Sequence, residues 1–177
     1  MKPQVLLLVI PFFFPTSAYA CKCNETPTVE ASYNLPGIIV HGQVVDKQLV
    51  SLSKTMKTEK AEELREKLRG DTRMLELLGS ELVFEIKLKV VESFKKNAGD
   101  TIIIYATINS ASCGYKFEMQ KHYIVYASDK SHAYFPFLTH RERKSDIEKG
   151  ETYWTNHCTR TAEYDKSEAD LLRKLKA

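Results

Sequence analysis

Glu81 to Phe94 read ELVFEIKLKVVESF, and the alternation in this stretch decides the fold class. Leu82, Phe84, Ile86, Leu88 and Val90 fall on one face, while Glu85, Lys87 and Lys89 fall on the other. A period of two with a β-branched, aliphatic and aromatic inner set predicts a half-buried strand. The segments around it repeat the pattern. PGIIVHGQVVD (Pro36 to Asp46) places Ile38, Val40, Gly42 and Val44 together. DTIIIYAT (Asp100 to Thr107) follows the turn at Asn97-Ala98-Gly99, KHYIVYAS (Lys121 to Ser128) comes next, and AYFPFL (Ala133 to Leu138) is a weaker fifth run. Pro136 confines that last strand to an edge. Five short strands separated by turn signals predict a mainly β protein built on a small closed sheet.

Two segments depart from the strand period. Ser51 to Leu78 is highly charged and helical in composition, with Leu52, Met56, Leu64 and Leu68 on a four-residue spacing and Gly70 and Gly79 as stops. It reads as one helix and a shorter one laid across the sheet, a solvated amphipathic insertion over about 51–79. The C-terminal SEADLLRKLKA predicts a closing helix capped by Ser167, with basic residues in its last turn.

The N-terminus reads as an export signal. Lys2 is the positive start, Val5 to Phe14 is a short apolar run, and Ala18-Tyr19-Ala20 is a small-residue cleavage site. The run is too short for a membrane-spanning helix, which needs about 20 residues. Residues 1–20 are therefore expected to be removed, leaving 21–177 as a single secreted domain (periplasmic in a Gram-negative host) that begins at Cys21. Lipoprotein processing would also leave Cys21 first and would acylate it, but Ala18 and Tyr19 suit that signal poorly. Of the 26 Lys+Arg and 23 Asp+Glu, only Lys2 leaves with the signal. The near-neutral balance argues against nucleic acid as a partner.

All four cysteines, Cys21, Cys23, Cys113 and Cys158, follow the cleavage site. An even number in an exported chain points to disulfides. Cys21 bonded to Cys23 would close a ring around a single residue, which disulfide geometry disfavours. The two N-terminal cysteines must then reach Cys113 and Cys158, in either order.

Catalytic motifs are missing from the sequence: there is no H-E-x-x-H, G-x-S-x-G, phosphate-binding glycine loop or C-x-x-C. His41, His122, His132, His140 and His157 have no ligand spacing and read as separate surface or loop residues. The composition describes a binding protein, not an enzyme, with no cofactor and no metal of its own. Barrels of this kind also bind single-stranded nucleic acid through stacked aromatic rings, and Tyr105, Tyr115, Tyr123 and Tyr126 are the rings available for that.

The order C-x-C, short strands, Ser112-Cys113-Gly114-Tyr115, Tyr123-Ile124-Val125-Tyr126 and HCTRT (His157 to Thr161) resembles the N-terminal inhibitory domain of the tissue inhibitors of metalloproteinases, and more broadly the netrin-like module. The resemblance spans nearly the whole mature chain apart from the insertion. It implies a five-stranded barrel of the oligonucleotide/oligosaccharide-binding type with flanking helices, and the pairings Cys21–Cys113 and Cys23–Cys158. It implies inhibition of a secreted zinc metalloendopeptidase by a monomer: the free amino group and carbonyl of Cys21 chelate the catalytic zinc in trans. Lys22 would enter the specificity pocket, with Cys23 and Ser110, Ala111 and Ser112 alongside. The chain departs from the family at Lys22, where the animal inhibitors carry Thr or Ser, and it lacks a third disulfide and the C-terminal cysteine-rich domain. The alternative implied by the same resemblance is a non-inhibitory netrin-like binding or structural module.

Overall fold

The computed structural model describes Cys23 and residues 25–108, 113–129 and 152–177. Its frame is a pair of 14-residue antiparallel strands, β1 (Ile38–Ser51) and β2 (Leu82–Lys95). To these are added β3 (Thr101–Thr107), β4 (His122–Ala127) and two short strands, β5 (Tyr153–Trp154) and β6 (Ala162–Glu163). The spatial order is β5-β3-β2-β1-β4-β6, a curled six-stranded sheet forming a half-barrel. All pairings are antiparallel except β3 with β5. The curl brings the two sides of the sheet together at Trp154. It lies opposite Tyr105 of β3 and also exchanges two 2.8 Å backbone hydrogen bonds with Ser128, just after β4. The described residues thus hold six strands rather than five. The expected strand over Ala133–Leu138 lies outside them.

Bulges cause the curl and redistribute the side chains. The β1–β2 register slips at Ile39/Val40, His41/Gly42 and Val44/Asp46. Each slip adds local twist and can turn a strand over. Before the last slip, Ile38, Val40 and Val44 point inward with Ile86, Leu88, Ile104, Tyr123 and Val125. After it, Val50 points outward, paired with Val83. The inner faces expected for the first two strands are therefore present, except that Leu82 is exposed at the strand's start. Gly42 belongs to the inner face because the Leu88 Cβ lies 3.1 Å from where its own would stand.

The insertion is not a solvated appendage. A 3-10 turn (Leu52–Thr55), α2 (Thr58–Lys67) and α3 (Thr72–Ser80) pack onto the outward face of the β1–β2 ribbon. Leu52, Met56, Ala61, Leu64 and Leu78 join Val50, Val83, Tyr105 and Trp154 in a second core. Gly70 lies in the turn between the helices, as expected, but α3 runs through Gly79 to Ser80. A third core lies on another part of the outer face, where α1 (Val29–Asn34) and α4 (Lys166–Lys176) cover Ile39, Phe94, Ile124 and Tyr126. The closing helix is present, capped by Asp165 rather than Ser167: the Asp165 carboxylate accepts a 2.9 Å bond from the Glu168 amide.

Glu85, expected in solvent, is buried under the insertion. Its carboxylate accepts hydrogen bonds from Gln48 (2.6 Å), the Tyr105 hydroxyl (2.8 Å) and Lys54 (3.0 Å). Burial raises its pKa, but the bonds from Tyr105, Lys54 and Gln48 together hold it below the usual carboxylate range. A depressed folded-state pKa means the unfolded chain binds the proton more readily. The stabilisation is present above the unfolded value of about 4.3 and is lost as pH falls below it. Glu85→Gln should cost about 1–3 kcal/mol at pH 7 and flatten the loss of stability on acidification. Thermal unfolding from pH 7 to 3 checks this, and equal acid sensitivity in both proteins would contradict it.

Candidate functional site

The structure ties the chain's N-terminal part to the loop after β5. Cys23 is bonded to Cys158, with S–S 2.00 Å and Cα–Cα 5.2 Å. The Cys113 sulfur lies 3.6 Å from that of Cys158, and the three sulfurs lie within 4.8 Å of one another. Three clustered sulfurs suggest a metal site by type, but a metal needs thiolates, and none of the described cysteines is free. Cystine packing is the chemistry present here. Cys21, Lys22, Ser110, Ala111 and Ser112, and with them the Cys21–Cys113 pairing, lie outside the described residues.

The supports of this corner come from four elements. Cys113 has a left-handed backbone, φ 58°, and its carbonyl accepts a 2.7 Å bond from the His157 amide. Asn156 Oδ1 accepts from the amides of both Cys158 (2.9 Å) and Thr159 (3.0 Å), which shapes the turn carrying Cys158. The hydroxyls of Thr155 and Thr161 share a 2.7 Å bond and both reach the Tyr126 carbonyl. These bonds fix the turn to β4. Arg160 donates to the Pro27 carbonyl (3.0 Å) and to Glu168 of α4 (2.8 Å). Glu168 raises the pKa of this guanidinium, so the link keeps its charge throughout the working range. Thr28 then caps α1 by accepting from the Ala31 amide. A cavity of about 310 Å³ opens here between Pro27, Leu35, Ile39, Tyr126, Cys158 and Arg160.

Two histidines that read as separate in the sequence come together on the outer face. Pairing of β1 with β4 brings His41 Nε2 within 3.1 Å of His122 Nδ1. Tyr164 stacks on His41 with centroids 4.1 Å apart, and Arg173 of α4 holds Glu92 through bonds of 2.9 and 2.6 Å. Burial, followed by the charge of His122, lowers the His41 pKa against the pull of Glu92. The pair was not legible in the sequence because 81 residues separate its members. His157 takes no part in thiol chemistry, since Cys158 is already bonded to Cys23.

The tyrosines do not form a base-stacking surface. Tyr105, Tyr123 and Tyr126 are buried, and Tyr115 is half-buried against Phe117 with centroids 4.8 Å apart. Burial raises the Tyr115 hydroxyl to about 12. No helix among the described residues is long and apolar enough to cross a membrane. The fold and the corner define a disulfide-tied β half-barrel with two helical layers. No protein-family model matches the chain, and no curated protein matches it.

Proposed function

We propose that the protein is a secreted inhibitor of zinc metalloendopeptidases, built on a half-barrel related to the oligonucleotide/oligosaccharide-binding type. In this reading Cys21, freed by signal cleavage, presents its α-amino nitrogen and carbonyl oxygen to the catalytic zinc. A protease zinc keeps one coordination position for water or substrate, and a five-membered N,O chelate displaces that water. An α-amino group titrates near pH 8, so its neutral, metal-binding form is available at neutral pH.

The observation that carries the reading is the Cys23–Cys158 bond beside Cys113. It fixes the second cysteine of the C-x-C pair to a turn that is itself hydrogen-bonded to β4. A short terminal segment held in this way loses little ordering entropy on binding. Pairing of Cys21 with Cys113 would complete the clamp and set Ser110, Ala111 and Ser112 beside the chelating nitrogen and oxygen of Cys21. Mass-spectrometric N-terminal sequencing of the secreted protein, with fluorogenic assays against secreted zinc proteases, tests the proposal. A chain that begins at Cys21 with a free amine and inhibits stoichiometrically is expected. An acylated or displaced terminus, or a free one that inhibits nothing, leaves a non-inhibitory module.

Lys22 sets selectivity in this reading. An ammonium entering an apolar pocket loses its hydration without compensation, whereas an acidic pocket compensates it. Lys22→Thr should therefore tighten binding to proteases with apolar pockets by roughly tenfold, about 1.4 kcal/mol. It should weaken binding to one with a carboxylate in the pocket. Inhibition constants across a panel decide the point, and no change on any protease would remove Lys22 from the contact.

A further inference from the structure

We infer that His41 and His122 form a two-imidazole binding site for a divalent transition-metal ion, copper(II) ahead of zinc. Their ring nitrogens lie 3.1 Å apart. Two nitrogens bound at 2.0–2.1 Å to one ion are separated by about 2.9 Å at a right angle and about 3.3 Å at a tetrahedral angle. The observed gap, that of a hydrogen bond between the rings, falls between these values, so the two nitrogens need a change of direction and not of separation to share one ion. The ion would sit about 1.3 Å off the line joining the nitrogens, which requires the rings to tilt.

The two residues divide that work. His41 is buried on β1, and the Tyr164 ring stacked on it fixes its plane. His122 is exposed at the start of β4, so its ring can turn towards the ion and water can fill the remaining positions. The hydrogen now shared between the rings moves to an outer nitrogen by tautomer exchange, and each imidazole stays neutral. Glu92 is occupied by Arg173 and is not needed as a ligand. Imidazole donors with open water positions favour copper(II) over zinc by the usual order of divalent affinities. A fixed backing for one ligand ring raises affinity in the same way as the outer-shell contacts of known sites.

The test is titration of the secreted, oxidised protein with copper(II) chloride and zinc chloride, followed by calorimetry and, for copper, electron paramagnetic resonance. Binding of one copper ion with histidine-nitrogen couplings is expected. His122→Gln, an exposed substitution, should leave thermal unfolding unchanged and weaken binding by roughly tenfold or more. His41→Gln should do the same if its unfolding profile shows a folded protein, and His122→Gln alone decides if it does not. A variant with an alanine ahead of Cys21 should keep the site intact. Absence of one-to-one binding, or a resonance signal indifferent to His122→Gln, would overturn the inference. So would loss of the signal on extending the terminus, because the amine would then be the ligand.

Discussion

One alanine placed ahead of Cys21 is expected to weaken inhibition of the target protease by at least about a hundredfold, roughly 2.7 kcal/mol, with thermal unfolding unchanged. The extension turns the amino nitrogen of Cys21 into a peptide nitrogen, whose lone pair is delocalised into the carbonyl and is no longer a ligand at neutral pH. The carbonyl oxygen alone would remain, and water would regain the fourth position on the zinc. Among the described residues, Cys23, Pro27 and Thr28 are held by Cys158, Arg160 and the cap of α1, none of which uses the free amine. Stability and inhibition should therefore separate cleanly. The measurement is an inhibition constant beside a melting curve. Equal inhibition by both forms would sink the zinc-chelating reading and shift attention to the exposed surfaces as a binding module.

The sequence carried most of the sheet because alternation is a local signal. Ile86 and Leu88 face the interior, Lys87 and Lys89 face solvent, and nothing outside the strand was needed to read this. The same logic failed at Glu85, where the insertion covers a face that strand period alone assigns to water. Beyond Asp46 the first strand runs on to Ser51, and there one bulge turns Val50 outward without leaving a clear mark in composition. β5 and β6 are two residues each, too short for any period, and β5 exists because Trp154 is gripped by both Tyr105 and Ser128. α1 was missed for a similar reason: six residues give less than two turns of pattern. At the site, residue types pointed to disulfides but not to partners, and only the resemblance favoured Cys23 with Cys158. The histidine pair depends on register between strands, a long-range quantity that no single stretch contains.

Removing the Cys23–Cys158 bond should have the second large effect, on stability first and on inhibition through it. The bond spans 135 residues. A loop of that length implies a loss of about 5 kcal/mol in the chain-entropy model. For a chain of this size that corresponds to a fall in melting temperature of roughly 10–20 °C. Both cysteines must be replaced, as Cys23→Ser with Cys158→Ser. With Cys158 left alone, its sulfur would lie 3.6 Å from that of Cys113, and exchange could transfer a bond instead of deleting one. Below its melting temperature the double variant should still fold, because the three cores lie mostly on elements that carry no cysteine. Its terminus, however, would have to be ordered at the moment of binding, at a cost of about 1–2 kcal/mol for each freed residue. Weaker inhibition at a temperature where the variant is fully folded would show that immobilising the N-terminal segment contributes to binding. If the variant melted far lower yet inhibited equally well when folded, the bond would serve the half-barrel alone. A melting temperature unchanged within a few degrees would mean that the contacts of Arg160 with Pro27 and Glu168 already hold the segment in place.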